Sequence, residues 1–297
     1  MSKMSQRMLS AKYVGELKSI FKCPICYSSM SVFELQSLIC TNQHTFDFTK
    51  QGYLNLLKHQ VKTKYGKELF EARRKLIAEG EFFEPLCQAI ADIITKYRGI
   101  EAGNISILDT GCGEGSHLAS ICEILRAENQ TNVTGIGIDL AKEGVVVASK
   151  NYKNNIWCVA DLANTPFMDQ QFDVILNILS PSNYSEFTRL LKDDGFVLKI
   201  VPQSGYLKEL REAFYDDPEK QSYSNIETVE HFNKHFDIVD QTRIQYTMNL
   251  KHPFIDALVQ MTPLSWATTE EREKAFLQKE SVEITVDLDI LIGRKLI

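Results

Sequence analysis

Four residues near the amino terminus carry the clearest chemistry. Cys23-Pro24-Ile25-Cys26 is followed by Cys40-Thr41-Asn42-Gln43-His44. Two thiolates two residues apart reach one ion from a tight turn, and a Cys-x₃-His pair supplies the other corners of a tetrahedron. Cys23, Cys26, Cys40 and His44 therefore predict a structural zinc site, because four protein ligands leave no position for a reactive water. The segment around them is too short for a core of its own, and metal binding of about 10–16 kcal/mol supplies the folding free energy it lacks. Cys87, Cys112, Cys122 and Cys158 fall on predicted helices, strands or a glycine loop and read as core residues.

A second cluster is Ile107-Leu108-Asp109-Thr110-Gly111-Cys112-Gly113-Glu114-Gly115. Glycines at 111, 113 and 115 let a ligand approach the main chain closely. The spacing is G-x-G-x-G, not the G-x-G-x-x-G that seats a pyrophosphate on a helix amino terminus. Asp109, directly before the loop, repels a phosphate and suits a cation. S-adenosylmethionine, with a positive amino group and sulfonium and no phosphate, meets both conditions. Asp139, ending GIGID, is placed to accept the ribose hydroxyls, and Asp161, in CVADL, to bind the adenine amino group. The predicted cofactor set is Asp109, Gly111, Gly113, Gly115, His117, Asp139, Asp161 and Leu162.

These residues need elements to hold them. From residue 82 onward helices and strands alternate. Leu86, Ile90, Ile93, Ile94 and Tyr97 recur at helical spacing and stop at Gly99. Strands are predicted over 105–108, 133–138, 156–159, 172–179 and 196–201, with helices over 115–128, 142–150 and 186–191. That alternation implies an α/β fold with a parallel, doubly wound sheet, and puts the three acids at successive carboxyl ends of strands, where such sheets bind ligands. Two late strands follow at 238–250 and 282–292; the second, in VEITVDLDILI, alternates like an edge strand wet on one side. Residues 1–20 read as a floppy lead or a short helix. The expected division is a zinc-binding module with its leader over 1–58, a basic linker and helix over 59–81, and a methyltransferase domain over 82–297.

Composition bounds the rest. The chain has 297 residues, 44% hydrophobic and 24% charged, which excludes wholesale disorder. No apolar run reaches the roughly 18–20 residues a membrane helix needs, and no secretory h-region is present. Seven cysteines, an odd number, favour reduced thiols and a cytoplasmic location. The net charge of −6 is uneven: residues 1–100 carry 15 basic and 9 acidic side chains, the remainder 18 and 30. The basic third suits a polyanion.

With these motifs in place, the chain resembles the bacterial guanine-N1 methyltransferases of 23S ribosomal RNA, the RlmA family. CPIC…CTNQHTFDFTKQGYLNLL resembles the family's zinc module, EARRKLIAEGEFFEPL its connecting helix, and ILDTGCGEGSHL its cofactor loop. SPSNYSEFTRLLKDDGFVLKIVP and LVQMTPLSWA resemble two later stretches, so the likeness runs from Phe21 over nearly the whole chain. The resemblance implies a Rossmann-like class I catalytic domain using S-adenosylmethionine, a small N-terminal zinc-binding domain gripping an RNA hairpin, and a homodimer. The implied substrate is a guanine in a 23S rRNA hairpin near the peptide exit tunnel and macrolide site.

Guanine N1 carries a proton that must be taken up as the methyl arrives. Asn177, Ser180 and Asn183, in the segment after the fourth strand, are placed to meet the guanine edge, though none is an obvious base. Lys58, Lys62, Lys64, Lys67, Arg73, Arg74 and Lys75 are candidates to clamp phosphates, and Phe46, Phe48, Tyr53 and Tyr65 to stack bases. Two other classes fit the same residues: a small-molecule methyltransferase with a structural zinc module, and a non-catalytic RNA-binding protein.

Overall fold

The computed structural model describes residues 4–17, 20–59, 61–99, 103–129 and 132–296. The chain starts with a helix, α1 (Gln6–Glu16), capped by the Ser5 hydroxyl, which accepts from the Met8 amide. Its buried residues, Ser10, Ala11 and Val14, recur at the three- and four-residue spacing of one helical face. Strands β1 (Met30–Phe33), β2 (Ser37–Cys40) and β3 (Thr45–Asp47) then form a small antiparallel sheet.

The next strand, β4 (Leu54–Asn55), belongs to a different sheet. It lies at the far edge of an eight-stranded one, parallel to β7 (Ile156–Val159), and the bonding continues with the Leu56 amide donating to the Val159 carbonyl. A short basic helix, α2 (Lys67–Arg74), runs through a π-helical turn (Lys75–Glu79) into α3 (Glu84–Arg98), which ends at Gly99. The alternating section follows as β5 (Asn104–Thr110), α4 (Ser116–Asn129), β6 (Asn132–Asp139), α5 (Lys142–Asn151), β7, β8 (Phe172–Ile178), α6 (Tyr184–Leu190) and β9 (Leu191–Pro202). After it come α7 (Lys208–Phe214), α8 (Pro218–Gln221), α9 (Ile226–Asn233), β10 (Phe236–Lys251), α10 (Phe254–Met261), α11 (Glu270–Leu277) and β11 (Ser281–Lys295).

Spatial order across the large sheet is β10-β11-β9-β8-β5-β6-β7-β4. Strands β4 to β9 within it run parallel, and β11 is antiparallel to both β9 and β10. The connection order reverses between β5 and β8, and the crevice at such a switch point is where open α/β sheets bind ligands. One sheet face packs on α3, α4 and α10 through Leu86, Ile90, Leu118 and Leu258. The other carries Phe187, Phe232 and Phe236 in one continuous apolar cluster with Cys23, Met30, Leu38 and Phe48 of the small sheet.

One expectation is overturned. VEITVDLDILI is an interior strand between β9 and β10, and the edge is β10. Glu283, near its start, is exposed, but Asp287 and Asp289 are buried: Asp287 takes a bidentate pair from Arg243 at 2.8 Å and the Gly205 amide at 3.0 Å. Asp289 accepts from the side-chain amides of Gln203, Asn225 and Gln241. The polar letters mark buried acceptors with dedicated donors, not a wet face.

Candidate active site and metal centre

The two ligand turns of the small sheet close on each other. Tyr27 and Gln43, just after and within them, take left-handed backbone conformations (φ 62° and 64°) that tighten each turn. The ligand atoms of Cys23, Cys26, Cys40 and His44 all lie within 4.8 Å of one another. His44 Nδ1 is 3.5 Å from Cys23 Sγ and 3.4 Å from Cys40 Sγ, and the Cys26 and Cys40 sulfurs are 3.7 Å apart. A zinc tetrahedron built from Zn–S bonds of about 2.3 Å and Zn–N bonds of about 2.0 Å has edges of roughly 3.5–3.8 Å. The donor set fits the ion. The Ser28 hydroxyl, 3.1 Å from Cys26 Sγ, leads the interactions that bring the Cys26 thiol down to about 5, so a thiolate is ready for the metal.

At the carboxyl ends of the parallel strands, the glycine loop joins β5 to α4. Gly111 has φ 76°, and a Cβ there would sit 2.8 Å from Ser180 Cβ, so only glycine lets the loop meet the segment after β8. The Gly113 amide donates to Asp139 Oδ2 at 2.8 Å, and the Ala141 amide to Asp139 Oδ1 at 2.7 Å, which fixes the carboxylate at the rim of β6. Asp161 is exposed one strand further along, its Oδ1 accepting from the Ala163 amide at 2.8 Å. Leu162 is half-buried, and its carbonyl accepts from Asn183 Nδ2 at 3.1 Å.

Asp109 faces inward beneath the loop, only 2% exposed. Burial pushes its carboxyl up to about 7; Arg73 pulls against this, while Asp139 and Glu114 add to it. Burial likewise pushes His117, packed on Phe83 with ring centroids 5.1 Å apart, down to about 3, and Arg73 works in the same direction. Arg73 reaches in from α2 to within 3.5 Å of Glu114 Oε1 and of His117 Nδ1. Three buried atoms at this spot lack hydrogen-bond partners: Arg73 Nε, Glu114 Oε1 and His117 Nε2. A loosely paired cation and anion with unfilled hydrogen-bonding capacity, next to a buried acid and a glycine cradle, suit a zwitterionic amino-acid moiety such as the methionyl end of S-adenosylmethionine.

The segment after β8 forms the facing wall. Asn177 is fully buried; its amide nitrogen donates to Thr110 Oγ1 (3.0 Å), Ser180 Oγ (2.7 Å) and the Pro181 carbonyl (2.8 Å). These bonds tie the wall to β8 and β5. Ser180 Oγ donates to the Thr110 carbonyl at 2.7 Å, tying the wall to β5. Asn183 caps α6, accepting from the Glu186 amide and from Ser185 Oγ. Leu179, between them, has φ 50°, a strained conformation for leucine of the kind that clusters at working sites.

Several expectations need correction. Arg73 is turned inward to the glycine loop and is not a phosphate clamp. Phe48 and Tyr53 are buried core residues, unavailable for stacking. Tyr65 is exposed and packs on Trp266, itself half exposed, with ring centroids 5.7 Å apart. The motifs give no pointer to Lys199 or Trp266, or to the Arg73–Glu114 pair, because Asn177, Tyr65 and Arg73 come from other segments of the chain. A glutamate inside the glycine loop was the one available signal.

This sheet order, a glycine loop over three carboxylates and a polar facing wall define a Rossmann-like methyltransferase, here fused to a zinc ribbon. Comparison with known proteins agrees. A family model described as the N-terminal zinc ribbon of RlmA matches residues 21–64, and a methyltransferase-domain model matches residues 101–256. A Bacillus subtilis protein named putative 23S rRNA (guanine-N(1)-)-methyltransferase is 49% identical over 279 residues, covering 93% of this chain and 98% of its own. The 23S rRNA (guanine(748)-N(1))-methyltransferase of Streptomyces fradiae is 29% identical over 246 residues, covering 82% and 85%. A Micromonospora griseorubida protein named putative 23S rRNA (guanine-N(1)-)-methyltransferase is 25% identical over 295 residues, covering 92% and 96%. The chain belongs to the RlmA family of 23S rRNA (guanine-N1)-methyltransferases, enzymes dependent on S-adenosylmethionine and carrying a structural zinc.

Proposed function

We propose that this protein methylates N1 of one guanine in a 23S rRNA hairpin near the peptide exit tunnel and macrolide site, working in the cytoplasm as a homodimer. The observation that carries the reading is the crevice between β5 and β8, where the glycine loop and Asp109 on one side meet the Ser180–Asn183 wall on the other. S-adenosylmethionine, when bound, supplies a methyl group activated by its positive sulfonium. Asp109, Glu114 and Arg73 would hold its amino-acid end, Asp139 its ribose, and Asp161 with Leu162 its adenine. The wall's task is to hold a purine in line with the methyl and keep water out; fixed attack geometry supplies about 7–11 kcal/mol of such a barrier.

N1 lies inside a Watson–Crick pair, so the guanine must leave its stack, at a cost of a few kcal/mol. The surface offers groups to offset that cost. A groove of about 420 Å³ between α2 and α5 is lined by Arg74, Lys75 and Lys150 with one acid, Glu71, a net positive lining that suits phosphates. Tyr65 with Trp266, and Tyr27 and Phe33 on the ribbon, are exposed rings on which bases stack. No helix among the described residues is long and apolar enough to cross a membrane.

The test is labelled S-adenosylmethionine with 23S rRNA, followed by primer extension. A methyl on N1 blocks pairing and halts reverse transcriptase, so one new stop is expected. Label incorporated without a stop refutes the N1 assignment, and turnover on a metabolite extract with unlabelled RNA favours the small-molecule reading.

A further inference from the structure

Lys199 lies in the middle of β9 with 5% exposure, and no acidic partner contacts it among the described residues. An unpaired ammonium inside a protein is costly, so its retention calls for a use. Its Nζ touches three oxygens: Asn177 Oδ1 at 2.5 Å, the Ser180 carbonyl at 3.0 Å and Ser182 Oγ at 2.9 Å. All three belong to β8 or to the wall facing the glycine loop. Ser182 in turn lines an open cavity of about 450 Å³, with Leu162, Pro181, Asn183 and Tyr184 around it. A buried amine thus stands one hydroxyl away from the space beside the wall.

Resting on the proposed N1 methylation, we infer that Ser182 and Lys199 form the route by which the guanine N1 proton leaves. In the structure Lys199 Nζ donates to Ser182 Oγ, and the serine hydroxyl donates to Asn177 Oδ1 at 2.9 Å. In the neutral amine, two N–H groups donate to Asn177 Oδ1 and the Ser180 carbonyl, and the serine hydroxyl turns so that the nitrogen lone pair accepts from it. The Ser182 oxygen then accepts the guanine N1–H. As the N1–CH3 bond forms and the sulfonium carbon–sulfur bond breaks, the N1 proton passes to Ser182 Oγ and the serine proton to Lys199 Nζ. The ammonium left behind has three acceptors already in place, and Ser182 is restored as a hydroxyl. Burial holds the lysine down at about 8, so a useful neutral fraction exists near neutral pH. Ionisable groups on the neighbouring elements are Asp289 on β11, which pairs with β9, Tyr184 on α6, His231 on α9 and His235 just after that helix. Asp289 is engaged by three side-chain amides, and Tyr184 stacks with the two histidines.

The experiment measures single-turnover methylation of the 23S rRNA hairpin, from pH 6 to 9, by wild type, Lys199→Met and Ser182→Ala. Wild type should quicken with pH and level off above a midpoint near 8. Both variants should lose about 10²–10⁴-fold in rate and that midpoint, while affinities for S-adenosylhomocysteine and RNA stay within about twofold. A hairpin carrying 8-azaguanine at the target, whose N1–H is more acidic, should restore the variants far more than it speeds wild type. Unchanged pH profiles in the variants, or a loss that the acidic base does not relieve, overturn the relay; the latter result leaves Lys199 a purely structural tether. If Lys199→Met does not fold, Ser182→Ala decides alone, because it leaves the buried lysine in place. A wild type that produces no stop on 23S rRNA defeats the parent reading instead, so the two failures are distinct.

Discussion

Binding of the methyl donor should depend on pH through Asp109. In the free protein burial raises this carboxyl to about 7, so near neutrality much of it is protonated. A cationic amino group arriving beside it favours the ionised form, and the proton must leave as the ligand binds. Above pH 7 little proton needs to be lost; below it, affinity falls towards tenfold per unit. Between pH 7.5 and 6.0 the expected loss is roughly eightfold, about 1.3 kcal/mol at 1.36 kcal/mol per pK unit. The folding linkage has the opposite sign. The folded carboxyl lies above its unfolded value of 3.8, so its contribution to ligand-free stability is full below that value and is lost as pH rises through 7. Calorimetry with S-adenosylhomocysteine in two buffers of different ionisation enthalpy reads both the affinity and the protons released. Asp109→Asn is the control: the ligand amine behaves alike with both proteins, so the difference isolates the carboxylate. Equal pH slopes for wild type and variant would refute the placement of the cation beside Asp109.

Three further outcomes are expected. Cys26→Ser, or chelation of the wild type, should release zinc and abolish hairpin binding in a gel-shift assay, with donor affinity changed by less than about threefold, since no hydrogen bond among the described residues joins the zinc knuckles to the glycine loop. Gly111→Ala should destabilise the fold by about 1–3 kcal/mol in urea titration and abolish donor binding, because it adds both left-handed strain and a clash with Ser180. Trp266→Ala and Tyr65→Ala should each weaken RNA binding by about 1–3 kcal/mol while leaving donor affinity intact; unchanged RNA affinity in both would remove the aromatic pair from the RNA face.

The parallel strands were legible because each is a short apolar run closed by a turn, and the zinc ligands because four residue types in one order leave few other uses. The misreading of β11 has a physical cause. Alternation reports which side chains are polar, not whether water or a neighbour satisfies them, and Arg243, Gln203, Asn225 and Gln241 come from other segments. Arg73 shows the same limit: in sequence it is one more cation in a basic run, and only the packing of α2 against the glycine loop turns it inward. Lys199 in LKIVP looks like an ordinary strand charge until Asn177 and Ser182 are placed around it. Local pattern locates elements and motifs; the pairing of buried polar groups across the chain is set by topology.

The two-residue strand β4 has a mechanical consequence. Because Leu54, Asn55 and Leu56 are bonded to β7, the ribbon is not a tethered accessory free to swivel but an extension of the slab that carries the reaction centre. The span from the zinc knuckles to the crevice is then a fixed gauge. An RNA gripped at one end presents whichever nucleotide lies that far away, so lengthening or shortening the hairpin stem should shift or silence modification without altering any base the enzyme touches.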